Sequence, residues 1–294
     1  MVFQPMYWVA KRVGDYLHAT FVGTDQHVIG YSSIMGVMSL YRATGDAKYL
    51  ELANRFVDLY GTGDTEYRRT LTDLSGTDQR QDRVPFREET EAVGHAVWGN
   101  YLYCGVADVV AETGEQALFD ALVRIWESVA LRKMDITGSV VYGQLQTKRG
   151  DSANEAFGRD YDLPNLYNET CANIGFGMLI WRMLLLTGDA KYADVMELVA
   201  YNCLNAAVDL KGENWFYCNP LLWKGEAVKG HIHHTGVRWR TNNCYCCPPN
   251  VARTTAKLHN WVYSLSDDGL WMHLYGSNEL TTTLADGSPI ELTQ

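Results

Sequence analysis

Apolar positions along most of the chain recur with the period of helices, and near the end with that of strands. Ile34, Val37, Met38 and Tyr41 follow the i, i+3, i+4, i+7 rule of an amphipathic helix. Leu118, Leu122, Ile125 and Val129 do the same, with Asp120, Arg124 and Glu127 turned to the other side. Residues 97–110 and 171–186 are apolar on nearly every side, the pattern of helices covered on both faces. From Leu270 the run LWMHLYGSNELTTTLADGSPIELTQ alternates with a period of two and carries an Asp286–Gly287 hairpin signal.

A short repeat organises the helical part. The tripeptide Thr-Gly-acid occurs at Thr44, Thr113 and Thr187, spaced by 69 and 74 residues. Glycine suits the left-handed residue that ends a helix, and the acid suits the start of the next one. Covered inner helices alternating with amphipathic outer ones predict an all-α fold, an α/α toroid of helical hairpins of the (α/α)6-barrel type. A plain helical solenoid is the alternative. The patterns count about eight helices, fewer than the twelve of six hairpins, so the toroid is expected to be incomplete and the chain to be a fragment. The expected organisation is a catalytic toroid over residues 1–268 and the beginning of a β domain over 269–294, since two or three strands do not make a stable sheet alone.

Composition narrows the partners. The 294 residues carry 25 Lys and Arg against 35 Asp and Glu, a net charge of −10 with no basic run. That balance argues against nucleic acid and anionic membrane as partners. Nine Trp and 18 Tyr suit either a sugar cleft or a well-filled core. The first residues lack the layout of a signal peptide, and the apolar run 172–181 stops at Arg182, short of a membrane span. Seven cysteines cannot all pair within one chain, which favours thiol or metal chemistry in a reducing, cytoplasmic compartment over a disulfide framework.

Three of those cysteines lie in TNNCYCCPPN, residues 241–250. Cys246 and Cys247 precede two prolines and the helical pattern VARTTAKLHNWVY, which places both sulfurs at a helix N-terminus, where a thiolate is favoured. Zinc takes about four such ligands in a tetrahedron. Asn168–Glu169–Thr170–Cys171 opens another inner helix and offers two more. In a regular helix Glu169 and Cys171 point about 200° apart, so they converge only if this first turn is not yet helical. His231, His233 and His234 are rival ligands, and a purely structural zinc is a rival role. Cys104, Cys203 and Cys218 read as core residues. Between residues 153 and 171 stand Glu155, Asp160, Asp162 and Glu169, and a pair of carboxylic acids on a pocket rim is the equipment of glycoside hydrolysis.

The segments NETCANIGFGMLIWRML, DYDLPN, CYCCPPNVAR, EAVGHAVWGNYLYCGVADVVAETGE and LYRATGDAKYLELANRFVD together resemble glycoside hydrolase family 127, the non-reducing-end β-L-arabinofuranosidases of the six-hairpin glycosidase superfamily. The resemblance runs from about residue 30 to residue 275. It implies a zinc ion held by Glu169, Cys171, Cys246 and Cys247, with Cys246 as nucleophile and Glu155 as general acid and base. It also implies sugar contacts from His95 of GHAV and Tyr217 of FYCNPL. Trp98 departs from the family, in which arginine is common at that position. The resemblance further implies a glycan substrate with a terminal β-L-arabinofuranose or similar pentose, and front helices that have no counterpart here. Two readings compete with it: an inverting hydrolase or lyase using Glu155 and Asp162, and an inert helical module with a structural zinc.

Overall fold

The computed structural model describes residues 3–27, 30–62, 80–140, 168–219, 237–240 and 245–294. Its helices are α1 (Phe3–Phe21), α2 (Ser33–Thr44), α3 (Ala47–Asp58), α4 (Ala96–Thr113), α5 (Gln116–Arg132), α6 (Thr170–Thr187), α7 (Ala190–Leu198) and α8 (Cys247–Lys257). Helix α7 runs on through a π-helical stretch, Val199–Leu204, into a last turn at Asn205–Ala207.

The Thr-Gly-acid repeat builds three turns of one design. Gly45, Gly114 and Gly188 adopt φ of 69°, 67° and 66°, and their amides close back on Tyr41, Val110 and Leu184. Each threonine works on both sides of the glycine. Its hydroxyl donates to the carbonyl four residues back, at 2.8 Å for Thr44, 2.9 Å for Thr113 and 2.8 Å for Thr187. It then accepts the amide of the following acid, at 3.2, 3.3 and 3.1 Å. Asp46 and Asp189 cap the next helix by accepting from Lys48 and Lys191 amides. Glu115 makes no such cap; one methylene longer, it accepts from Arg87 Nη2 at 3.1 Å instead.

Three hairpins result: α2–α3, α4–α5 and α6–α7. Their first helices pack side by side, α2 on α4, α4 on α6 and α6 on α8, while α3, α5 and α7 lie outside on their partners. This is the inner and outer ring of an α/α toroid. Of the inner helices, α4 and α6 are covered around most of their circumference, as their uniformly apolar sequences require; Leu102, Cys104, Val106, Ile174, Phe176 and Ile180 have no more than trace exposure. Helix α6 is 18 residues long, apolar enough by composition to cross a membrane, and longer than the ten-residue run read from the sequence; 67% of it is buried within the protein. Contact between α4 and α6 is close. A Cβ on Gly175 would meet Asn100 Cβ at 2.9 Å, and Asn100 Nδ2 donates to Ala172 O at 3.1 Å.

Helix α8 ends earlier than its sequence pattern, which extends to Tyr263. A 3-10 turn at Leu258–Trp261 follows and drives Trp261 against α6, where a Cβ on Gly177 would lie 3.2 Å from its ring. Burial of that indole outweighs continuation of the helix. Two antiparallel hairpins come next: β1 (Tyr263–Ser266) with β2 (Gly269–Met272), and β3 (Glu279–Thr283) with β4 (Pro289–Thr293). The second turns through Gly287 at φ 86°, where the Asp-Gly signal placed it. Strands β3 and β4 alternate exposed and half-covered positions.

Candidate metal centre and cavity

The N-terminal ends of the four inner helices meet at one place. A cavity of about 580 Å³ is lined by Tyr31, Ser32 and Met35 at the start of α2, and by His95, Trp98 and Tyr101 at the start of α4. Glu169 and Cys171 at the start of α6 complete it, with Cys246, Asn250 and Arg253 at the start of α8. Helix N-termini present free amides and positive dipole ends, so four of them together favour anionic side chains here.

Glu169 is the residue before α6, with φ −81° and ψ 130°. That extended conformation is the condition the sequence imposed for Glu169 and Cys171 to converge. A short antiparallel bridge maintains it: Glu169 pairs with Cys218, the Thr170 amide donates to Tyr217 O at 2.9 Å, and the Asn219 amide to Asn168 O at 2.9 Å. On the other side Cys246 precedes α8 and Cys247 is its first residue, with proline in the first turn. The four ligand atoms of Glu169, Cys171, Cys246 and Cys247 lie within 4.8 Å of one another. The Cys171 and Cys247 sulfurs are 3.2 Å apart, those of Cys246 and Cys247 3.7 Å, and Glu169 Oε1 is 3.9 Å from each of Cys246 and Cys247. Cys171 and Cys247 are buried, whereas Cys246 is exposed and lines the cavity.

Cys171 and Cys247 resist ionisation. The Cys171 thiol is pushed up, first by the neighbouring Cys246 sulfur, with burial and Glu169 adding to it. Burial raises Cys247 well above the ordinary range, and Cys171, Cys246 and Glu169 raise it further. A cation among the four reverses the sign of those interactions, so the donor set suits a soft divalent metal. Asn250, one turn into α8, adds a donor: its Nδ2 contacts Cys171 Sγ at 2.9 Å and Tyr101 Oη at 2.9 Å. Arg253 Nη2 reaches the same Tyr101 oxygen at 3.2 Å. Burial pushes the Tyr101 phenol up to about 12.

His95 and Tyr217 both line the cavity. The His95 ring stacks on Trp98 at 4.1 Å between centroids, and Trp98 stacks in turn on Tyr31 at 4.7 Å, each pair 13° from parallel. Trp98 is therefore held by stacking against two rings. Tyr217 is set beside the sulfurs by its backbone, whose carbonyl lies 4.0 Å from Cys247 Sγ. Glu155, Asp160, Asp162, Cys244 and the histidines at 231, 233 and 234 lie outside the described residues. Cys104, Cys203 and Cys218 are buried core thiols, as expected; burial pushes Cys104 up to about 12 and Cys203 up to about 11. Sequence reasoning missed Asn250, Tyr101, Arg253 and Tyr31. A signal was present for Asn250, which stands four residues after Cys246 and so on the same helix face.

Comparison with known proteins agrees with the helical fold. A family model described as "Beta-L-arabinofuranosidase, GH127 catalytic domain" matches residues 5–260. The non-reducing end β-L-arabinofuranosidase of Bifidobacterium longum is 31% identical over 305 residues, which cover 96% of this chain and 45% of that protein. A solved glycoside hydrolase superposes with a TM-score of 0.81 at 40% identity, over 96% of this chain and 47% of that one. A GH127 β-L-arabinofuranosidase from Geobacillus stearothermophilus T6 gives 0.81 at 33%, over 96% and 46%. The chain thus spans about half the length of these relatives.

Proposed function

The chain belongs to the β-L-arabinofuranosidase catalytic-domain family, glycoside hydrolase family 127, and from that premise we propose that it is a retaining glycosidase. Its substrate is the terminal β-L-arabinofuranose, or a similar pentose, of plant-type glycans. The net charge of −10 supports a neutral glycan rather than nucleic acid or an anionic membrane as partner. The buried core thiols Cys104, Cys203 and Cys218 support a reducing, cytoplasmic setting, and the hairpins near the end of the chain support the beginning of a β domain over residues 269–294.

We assign zinc to the centre formed by Glu169, Cys171, Cys246 and Cys247. Two sulfurs about 2.3 Å from one zinc are about 3.8 Å apart, and the Cys246–Cys247 separation is 3.7 Å. The contacts of 3.9 Å to Glu169 Oε1 are close to the edge expected between a sulfur and an oxygen ligand, and the 3.2 Å pair opens by about half an ångström. Glu169, Cys171, Cys246 and Cys247 would hold the ion, which would favour the ionised sulfurs at neutral pH.

The observation that carries the reading is the unequal burial of the three cysteines: Cys171 and Cys247 are buried, whereas Cys246 is only partly covered at its sulfur and lines the cavity. The Cys246 sulfur attacks the anomeric carbon; a C–S bond forms as the glycosidic C–O bond breaks, and the leaving oxygen takes a proton from Glu155. The Glu155 carboxylate then takes a proton from water, whose oxygen displaces sulfur from the same carbon. Two inversions leave the configuration retained.

The test is hydrolysis of an aryl β-L-arabinofuranoside by the wild type, Cys246→Ser and Glu155→Gln, with zinc measured in each. Both variants are expected to stay folded and to lose activity by on the order of 10³-fold or more, with about one zinc per wild-type chain. Activity surviving in Cys246→Ser supports the carboxylate pair Glu155 and Asp162 instead, and a folded, zinc-bound but inert wild type supports a structural metal.

A further inference from the structure

We propose that Tyr101 is a specificity-determining donor to a sugar hydroxyl, held in that role by Asn250 and Arg253. The inference rests on the glycosidase reading above and adds a residue to it. Tyr101 sits on α4, half-buried, and lines the same cavity as Cys246. Its oxygen receives two donors, Asn250 Nδ2 at 2.9 Å and Arg253 Nη2 at 3.2 Å. A phenol oxygen that accepts twice has its own proton left for a third direction.

What prevents the reverse arrangement is the sulfur. A carboxamide can present either oxygen or nitrogen to a neighbour, but Asn250 also contacts Cys171 Sγ at 2.9 Å. With a metal held there, the Cys171 sulfur would carry no hydrogen and would admit only the N–H₂ side, which is the contact the structure shows. With the nitrogen on sulfur, its second hydrogen falls to Tyr101, and Tyr101 cannot donate back to Asn250. Arg253 offers donors only. The metal-site sulfur thus sets Asn250, and Asn250 sets the direction of the Tyr101 proton. Among the described residues none accepts that proton, which leaves it to a ligand in the cavity, and a site built to bond one hydroxyl discriminates strongly against a sugar lacking it.

Tyr101→Phe removes the hydroxyl and nothing else. For aryl β-L-arabinofuranoside, kcat/KM is expected to fall about fivefold to tenfold, the loss typical of one hydrogen bond, with zinc content and near-UV circular dichroism unchanged. Among the mono-deoxy versions of the substrate, one is expected to be turned over equally by the wild type and the Tyr101→Phe variant, which identifies the bonded hydroxyl. Arg253→Met is expected to weaken selection for that hydroxyl in the wild-type background and to have no further effect after Tyr101→Phe. An unchanged kcat/KM in Tyr101→Phe, or an equal loss on every deoxy substrate, overturns the inference while leaving the glycosidase intact. A wild type without activity overturns both. Should the Tyr101→Phe protein lose its near-UV spectrum, Arg253→Met alone decides: weakened selection for one hydroxyl supports the proposal, and unaltered selection overturns it.

Discussion

Asp108 shows how much one residue holds together at the smallest scale. It sits on α4 within an apolar run and is nearly buried, yet it receives Arg42 Nη1 of α2 at 2.9 Å and Arg182 Nη2 of α6 at 3.0 Å. One carboxylate therefore ties three inner helices, and its removal leaves the mostly covered Arg182 with an uncompensated charge. Asp108→Asn is expected to lower stability by about 3 kcal/mol, measured as a shifted urea midpoint at constant slope. Glu112→Gln, which removes the more exposed partner of Arg42, is expected to cost less than about 1 kcal/mol; equal losses would show that burial does not govern this cluster. The pattern of apolar residues could not reveal Asp108, because a lone acid on a covered helix has no visible partner until the neighbouring helices are in place. The adjacent cysteines were legible for the opposite reason: neighbouring thiols before Pro-Pro have few structural uses, so their chemistry shows in one dimension.

Elements repeat the lesson with different strengths. The Thr-Gly-acid turns were legible because every part of them is local: a left-handed glycine, a threonine bonding across it, and an acid at the next helix start. The end of α8 was not, since Trp261 leaves the helix for a partner on α6. A similar long-range contact joins the β1–β2 hairpin to the toroid. His273 packs edge-on against Trp181 of α6 at 5.4 Å and shares a hydrogen bond of 2.7 Å with Ser264. Burial lowers its pKa below the ordinary value. The unfolded chain therefore takes up the proton first as pH falls through about 6.5, and stability declines with acidification there. Melting temperatures between pH 7.5 and 5.5 are expected to fall more for the wild type than for His273→Gln. Parallel curves would remove His273 as the cause.

At the scale of the molecule, the centre lies where the N-terminal ends of four inner helices meet, so a bound metal would join α6 to its neighbour α8. A ligand that binds only the folded state stabilises it by mass action, about 4 kcal/mol at a thousandfold excess over its dissociation constant. Stripping zinc with a strong chelator is accordingly expected to lower the melting temperature by on the order of 5–10 °C. A melting temperature unmoved in protein shown to have lost its zinc would mean that helix packing alone sets the stability. Periodicity and three local turns were enough to determine the helical class and the hairpin unit, because each depends on neighbours close in the chain, while the rare run of cysteines offered Cys246 and Cys247 as ligands and left histidines 231, 233 and 234 as rivals. The convergence of Glu169 with Cys171, the exposure of Cys246 alone among the three cysteines, the Tyr31–Trp98–His95 stack and the bridge from Cys171 through Asn250 to Tyr101 were decided only by tertiary structure. The contacts that decide them reach residues tens of positions apart, up to 149 between Tyr101 and Asn250, and no local preference encodes which helix ends will meet.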